Sequence, residues 1–175
     1  VIEPGVRTGI AILYENPTTL HDDVHQVVVD DAGTVWAATG RRGLARSSDK
    51  GHTWQYLIDG LHATYLLAVA VTAAGVLASA QSGHAGSDTA VYLFDGDHFE
   101  PVTGLPSPLS GISPRHLAAS GTTTALVADD GSVYLSHDGG RTWFPTTGTV
   151  DRPHGVVVNL RPTSEGTTAR AADGG

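Results

Sequence analysis

The octapeptide SSDKGHTW at residues 47–54 returns as SHDGGRTW at residues 136–143. Both copies fit the pattern S-x-D-x-G-x-T-W, in which five of the eight positions are shared. So specific an octapeptide, present twice within 175 residues, predicts a repeat protein. The shared residues are Ser47, Asp49, Gly51, Thr53 and Trp54 in the first copy and Ser136, Asp138, Gly140, Thr142 and Trp143 in the second.

Each copy has the chemistry of a tight turn between two strands. The Ser and Asp oxygens can accept hydrogen bonds from backbone amides of the turn, and the Gly tolerates a positive φ. The Thr and Trp then begin the outgoing strand, where β-branched and aromatic side chains pack well. Each Trp is large enough to anchor its unit in the core. The motif is therefore predicted to be structural.

The spacing of the two copies predicts the repeat length. They begin 89 residues apart, at residues 47 and 136, which corresponds to two units of about 44 residues. A middle unit should then have a turn near residue 92, and residues 95–99 read DGDHF, with Phe99 near the Trp position. The predicted units span about residues 20–61, 62–105 and 112–147.

The octapeptide resembles the Asp-box, or bacterial neuraminidase repeat, of sialidases, sortilin-type receptors, xyloglucanases and photosystem II assembly factors. The resemblance implies a β-propeller of four-stranded antiparallel blades, with each Asp-box turn between the third and fourth strands, on the rim. It also implies that Asp49 and Asp138 fasten turns and are not catalytic. Short strands with Gly-rich turns, and no sustained helical periodicity, independently predict an all-β fold.

The two ends of the chain predict a further, shared blade. Residues 155–171 resemble inner strands of a fourth unit, and residues 1–14 could supply its outer strands. The chain then has about four blade-equivalents, and three arrangements stay open: a partial propeller, a ring closed by both termini, or a ring completed by a second chain in a homo-oligomer. Residues 164–175 are expected to form a disordered tail.

Composition excludes several classes of function. The net charge is −8 and Lys50 is the single lysine, which argues against a nucleic-acid surface. No apolar stretch is long enough for a membrane-spanning helix, and without Cys there is no thiol chemistry. No cofactor is indicated. Because the chain begins with Val1, we expect a processed or truncated N-terminus without a targeting segment, and a secreted or periplasmic bacterial location is a hypothesis.

Function is expected in the loops around the central funnel, because the strands are committed to packing. These loops precede each inner strand or join the second and third strands of a unit. The candidate ligand-binding residues are Arg41, Arg42, His84, Asp88, Arg115, Asp129, Asp130, Arg152 and His154.

One short segment has the residue types of a metal site. In an extended chain, His21, Asp23 and His25 would share one face, where two imidazoles and a carboxylate could hold a divalent ion. The alternative is a loop whose Asp residues cap backbone amides, and this alternative is favoured. The prediction is therefore that no metal is bound.

The favoured function is non-catalytic recognition of a protein or a glycan, and no catalytic residue is assigned. The first alternative is a portion of a sialidase-like or xyloglucanase-like glycoside hydrolase, which needs two carboxyl groups about 5–10 Å apart. A sialidase also needs three arginines on a carboxylate, for which Arg41, Arg115 and Arg152 are the candidates, yet the F/Y-R-I-P motif of that family is absent. The second alternative is a structural or assembly scaffold.

Overall fold

The structure, a computed structural model, describes residues 23–113 and 115–159. These residues form twelve β-strands and no α-helix, which confirms the all-β prediction. In this part of the chain, therefore, no helix has the length and apolarity needed to cross a bilayer. The strands are β1 Val24–Val29, β2 Val35–Thr39, β3 Leu44–Ser47, β4 Gln55–Leu57, β5 Tyr65–Thr72, β6 Gly75–Gln81, β7 Ala90–Phe94, β8 Phe99–Pro101, β9 Leu117–Ser120, β10 Thr123–Val127, β11 Ser132–Ser136 and β12 Phe144–Thr149.

The strands form three antiparallel sheets of four, each made of strands consecutive in the chain. The first blade is β1–β4, the second is β5–β8 and the third is β9–β12, with β1, β5 and β9 as neighbouring inner strands. Most of the predicted shared blade, the tail at 164–175 and His21 lie outside the described residues. Residues 155–159 are described and form no strand.

The second blade is covered on both faces. Because side chains alternate along a strand, Val76 and Ala78 of β6 pack with Trp36 of the first blade, whereas Leu77 packs with Trp143 of the third blade. A strand buried on both faces reads as a nearly continuous apolar run, as β5 and β6 do. The two interfaces between blades form the two larger hydrophobic clusters of the described residues.

The backbones of neighbouring blades also touch directly. Phe99 N donates to Asp59 O over 2.8 Å, and Trp143 N donates to Thr103 O over 2.9 Å. Phe99 thus occupies in the second blade the place that Trp143 has in the third. At Gly104, where φ is +85°, a Cβ atom would lie 2.1 Å from Trp143 O. Only glycine permits this approach.

The first octapeptide forms the turn from β3 to β4 through its own side chains. Ser47 Oγ accepts a hydrogen bond from Gly51 N at 2.8 Å and donates one to Asp49 Oδ1 at 2.9 Å. Asp49 also accepts from Thr53, at Oδ1 from the amide over 2.8 Å and at Oδ2 from the hydroxyl over 2.6 Å. Trp54 Nε1 closes the turn on Gly51 O at 3.2 Å.

The second octapeptide repeats this network between β11 and β12. Gly140 N donates to Ser136 Oγ at 2.9 Å, and Ser136 Oγ donates to Asp138 Oδ1 at 2.7 Å. Thr142 N donates to Asp138 Oδ1 at 3.0 Å, and Trp143 Nε1 donates to Gly140 O at 2.8 Å. Four hydrogen bonds, made by the Ser, Asp, Gly, Thr and Trp of the motif, are therefore shared by the two turns.

These hydrogen bonds favour the ionised aspartates. The hydroxyl of Thr53, followed by its amide, lowers the pKa of Asp49 from 3.8 to about 2. Burial alone would raise the pKa of Asp138, but hydrogen bonds led by those from the amide of Thr142 and the hydroxyl of Ser136 outweigh burial and lower that pKa to about 2. Both carboxylates are ionised near neutrality.

The two lowered pKa values predict an acid-sensitive contribution to stability. At pH values above the ordinary pKa of 3.8, a carboxylate whose pKa is lowered in the folded state stabilises the fold. This contribution is lost as the pH falls through about 2. We expect the free energy of unfolding in urea to fall less steeply between these pH values in the Asp49→Asn/Asp138→Asn variant than in the wild type. Equal slopes in the two proteins would contradict this prediction.

The close approach at Gly104 predicts a stability difference between two glycine variants. In Gly104→Ala, the alanine must adopt a left-handed backbone conformation and its Cβ clashes with Trp143 O. The free energy of unfolding should therefore fall by roughly 1–3 kcal/mol. Gly148→Ala is the matched control, because a Cβ there meets nothing within 4 Å. The free energy of unfolding of each variant is measured by urea titration with Trp fluorescence as the signal. Equal stability of the two variants would argue against the proposed contact.

Candidate functional site

The topology gathers the predicted ligand-binding loops at one end of the blades. We call this end the funnel face; it consists of the segments that precede β1, β5 and β9 and the β2–β3, β6–β7 and β10–β11 loops. Contacts such as Gly40 N to Asp23 O at 2.8 Å join these segments. All nine candidate residues lie on this face or directly after β12, and the octapeptide turns lie at the opposite end.

A cavity of about 550 Å³ lies between the inner strands β1, β5 and β9 and residues 154–157. Its walls are aliphatic, with Val28 and Val29 from β1, Val71 from β5, Ala119 from β9 and Val157 from the segment after β12. Gln26, Arg115 and His154 are its polar lining residues. Among the described residues that line it there is no aromatic and no acidic side chain.

The side chain of Gln26 crosses from the first blade to both other blades. Its Nε2 donates to Val69 O of β5 at 3.0 Å, and its Oε1 accepts from Arg115 N at 2.8 Å. Arg115 O in turn accepts from Val156 N at 2.9 Å, which ties the segment after β12 to the same point. Arg115 has a φ of +71° and is exposed, its backbone N–H and C=O are both hydrogen-bonded, and the residue lines the cavity.

A hydrogen-bonded group at the funnel face joins the beginnings of strands β1 and β5 to the β6–β7 loop. His25 Nδ1 lies 2.6 Å from Leu66 O, an acceptor, so Nδ1 carries a proton and donates. His25 Nε2 lies 3.2 Å from Asp23 Oδ2, and Tyr65 Oη lies 3.3 Å from both His25 Nε2 and His84 Nδ1. No group of three metal-binding side chains occurs within residues 23–113 and 115–159, and His21 lies outside them.

Two candidate aspartates are held in the ionised form. Asp88 accepts hydrogen bonds from the hydroxyl and the amide of Ser82, which lower its pKa, and its Oδ2 lies 3.3 Å from His62 Nε2. The amide of Ser132, the largest influence, lowers the pKa of Asp130. A general acid needs a raised pKa, so neither aspartate is suited to donate a proton near neutrality.

His116 attaches the segment after β12 to the third blade. The residue is buried, and its Nε2 lies 3.2 Å from Pro153 O. Its Nδ1 lies 3.1 Å from Asp129 Oδ1, in a contact that lacks the alignment of a hydrogen bond. Asp129 Oδ1 also accepts from Ser113 N at 3.1 Å. Asp129 is thus committed to its own loops.

The predicted arginines separate in the structure. Arg115 and His154 meet at the cavity, whereas Arg41 and Arg42 lie in the β2–β3 loop and do not line it. The Arg42 guanidinium lies 5.5 Å from the centre of the Tyr56 ring. Arg152, which precedes His154 in the segment after β12, is exposed. Sequence reasoning missed Gln26, His62, Tyr65 and His116, because their contacts are made with residues distant in the chain.

Comparison with known proteins identifies the fold. No protein-family model matches the chain, and no curated protein matches it. Among solved structures, YCF48 bound to D1 peptide matches with a TM-score of 0.55 and 19% identity over 78% of this chain and 42% of that one. YCF48 from Cyanidioschyzon merolae matches with a TM-score of 0.56 and 16% identity, over 81% and 45%. The GH74 enzyme of Niastella koreensis matches with a TM-score of 0.54 and 18% identity, over 73% and 18%.

The fold is that of a β-propeller. At these identities the likeness concerns the fold alone. The chain spans less than half the length of each of these matched chains, so its three described blades correspond to part of a ring. The predicted propeller architecture is thereby confirmed in the form of a partial propeller.

The Gln26 bridge predicts a local change in hydrogen exchange. Gln26→Ala removes the acceptor of Arg115 N and the donor to Val69 O, so the Arg115 amide should exchange faster and the unfolding free energy should fall by about 1–3 kcal/mol. Exchange at single residues is measured by NMR. Gln55→Ala is the control, because Gln55 lies on the outer strand β4 and its side chain binds Arg46 of the same blade. Unchanged exchange at Arg115 in Gln26→Ala would contradict the bridge.

Proposed function

We propose that this chain is part of a non-catalytic β-propeller that binds a peptide segment of a partner protein in the cavity between its inner strands. The observation that carries the proposal is the lining of that cavity, which is aliphatic along its walls and polar at Gln26, Arg115 and His154. A mostly apolar pocket with a few convergent polar groups is the usual form of a binding site. The octapeptides would then be Asp-box turns that hold the blades in place.

The structural neighbours support a protein partner. One of them, YCF48, is bound to a peptide, which gives a precedent for peptide recognition on this fold. The chain covers 42% of that neighbour. The proposal therefore includes further blades, supplied by a second copy of the chain or by a longer polypeptide.

A glycan is the less favoured ligand. Binding sites for sugars commonly place an exposed aromatic ring against the ligand, and no aromatic residue of the described chain lines this cavity. Trp36 is buried between the first and second blades. Trp54 and Trp143 belong to the octapeptide turns, at the end of the blades opposite the funnel face. The aromatic residues are thus committed to packing and to turns.

A glycoside hydrolase is less favoured for a chemical reason. Such an enzyme needs one carboxyl group with a raised pKa and a second one nearby. The cavity contains no carboxyl group from the described residues, and the lowered pKa values of Asp88 and Asp130 oppose proton donation. We expect no release of product from fluorogenic sialosides or from xyloglucan.

A scaffold is the second candidate function, and one observation favours it. Phe144 and Val150 are exposed apolar residues at the two ends of the outer strand of the third blade, away from the cavity. Exposed apolar surface of this kind can mark a protein interface. The cavity and this outer surface therefore make different predictions about which residues a partner contacts.

The test is selection of peptides from a random library displayed on phage, with the folded chain as the target. Val29 and Phe144 are exposed to 61% and 59%, so Val29→Glu and Phe144→Glu place the same charge on comparable strand positions. Val29 lines the cavity and Phe144 does not. Selected peptides should bind Phe144→Glu as they bind the wild type, and bind Val29→Glu about tenfold more weakly or worse.

The opposite pattern would reject the cavity as the site. Peptides that lose affinity for Phe144→Glu and keep it for Val29→Glu would favour the scaffold. If no peptide is recovered and a glycan is bound instead, the proposed function is wrong.

A further inference from the structure

We infer that a second cavity, between the second and third blades, receives the imidazole ring of a histidine side chain from a partner protein, between Tyr134 and Asp130. This Tyr134 cavity has a volume of about 410 Å³, within the usual range of ligand pockets, and its lining comes from β11 and from segments of the funnel face. None of the described residues that line it also lines the cavity between the inner strands. The inference therefore goes beyond the proposed function and does not depend on it.

The second blade contains a tyrosine and an aspartate with a histidine between them. Tyr92 Oη lies 2.9 Å from His62 Nδ1, and Asp88 Oδ2 lies 3.3 Å from His62 Nε2. Because a carboxylate is negatively charged and only accepts, its contact favours a proton on Nε2, and Nδ1 then accepts from the Tyr92 hydroxyl. The imidazole and phenol rings also stack, with their centroids 5.7 Å apart. One imidazole thus serves both the tyrosine and the aspartate.

The third blade has the same tyrosine and aspartate at equivalent positions. Tyr92 and Tyr134 are the third residues of β7 and β11, and each follows an aspartate, Asp88 or Asp130, by four residues. Both aspartates have a lowered pKa and are ionised near neutrality. Tyr134 and Asp130 both line the Tyr134 cavity.

The histidine is the member of the group that the third blade lacks. Gly60 and Gly104 mark equivalent points of the chain, because a Cβ atom on either would lie 2.1 Å from a backbone oxygen of the blade that follows. Two residues further along stand His62 and Pro106. Pro106 lines the Tyr134 cavity, and its side chain has no hydrogen-bonding group. The cavity therefore lies where the second blade has its imidazole.

The missing histidine leaves the hydroxyl of Tyr134 unpaired within the described chain. Tyr134 is 8% exposed and packs in the cluster between the second and third blades. Its hydroxyl makes no hydrogen bond with any described residue, whereas that of Tyr92, which is 7% exposed, has His62 as its partner. Buried polar groups are normally hydrogen-bonded. An imidazole between Tyr134 and Asp130 would give the third blade the contacts that the second blade makes by itself.

The two polar groups select an imidazole over other side chains. A neutral imidazole presents one acceptor and one donor at separate positions of a flat ring, which matches a hydroxyl donor and a carboxylate acceptor. Lysine and arginine have donors only, so the hydroxyl proton of Tyr134 would remain without an acceptor, and phenylalanine has neither group. Pro106, Pro108 and Leu109 supply apolar walls for the faces of the ring.

The test compares three peptides that differ only in the central residue: acetyl-Gly-His-Gly-amide and its counterparts with phenylalanine or asparagine. Each is titrated into the ¹⁵N-labelled chain about one pH unit above the ordinary pKa of histidine, where the imidazole is neutral, and binding is followed by NMR. The histidine peptide should shift the amide signals of Ser110 and Asp130 and bind about tenfold or more tightly than the other two.

Two variants remove the site in different ways. Tyr134→Phe deletes the hydroxyl and keeps the ring, so it should weaken binding of the histidine peptide about five- to tenfold. Pro106→His supplies an imidazole from the chain itself and should abolish binding of the peptide. Tyr92→Phe is the matched control and should bind as the wild type does, because it makes the same change in the second blade, outside the Tyr134 cavity.

Several outcomes would overturn the inference. These are a histidine peptide that does not bind, a phenylalanine or asparagine peptide that binds as tightly, and undiminished binding by Tyr134→Phe. The comparison of peptides needs only the wild type, so misfolding of a variant cannot obscure it. Val29→Glu, which tests the cavity between the inner strands, should keep its affinity for the histidine peptide, so the two proposals can fail separately.

Discussion

The packing of a neighbouring blade against each face of the second blade is the constraint on which the rest of the structure depends. The second blade meets it by packing Val76 against the first blade and Leu77 against the third. Because side chains alternate along β6, a shift of register by one residue would exchange the two interfaces. The contact of Gly104 with the Trp143 backbone fixes how closely the blades approach. The inner strands are thereby held side by side, and the cavity lies between them.

The octapeptide turns and the residues that link the blades beside the cavity have different roles. In the octapeptide turns, Asp49 and Asp138 accept hydrogen bonds from backbone amides and side-chain hydroxyls of their own turns. Near the funnel face, the side chain of Gln26 links three blades through Val69 O and Arg115 N, and Arg115 is one of the residues that line the cavity. The conspicuous carboxylates of the motif are thus structural, and the groups able to meet a ligand lie where the chain carries no motif.

The sequence was a good guide to the fold and a partial guide to the site. The resemblance of the two octapeptides implied four-stranded antiparallel blades and their spacing predicted the repeat length, and the described residues form three such blades. Arg115 and His154 were predicted as ligand-binding residues and meet at the cavity, whereas Arg41 and Arg42 lie apart from it. Of the three residues in the metal hypothesis, His21 lies outside the described residues. Asp23 and His25 belong to a hydrogen-bonded group with Tyr65.

The sequence by itself determined the turns, because all donors and acceptors of each turn lie within eight neighbouring residues. Such local hydrogen bonds depend on the order of residues and on little else. Only the tertiary structure decided the cavity. Gln26 and Arg115 are 89 residues apart, and His116 and Pro153 are 37 apart. No periodicity in the sequence marks these pairs, since they meet only after the apolar faces of the blades have packed.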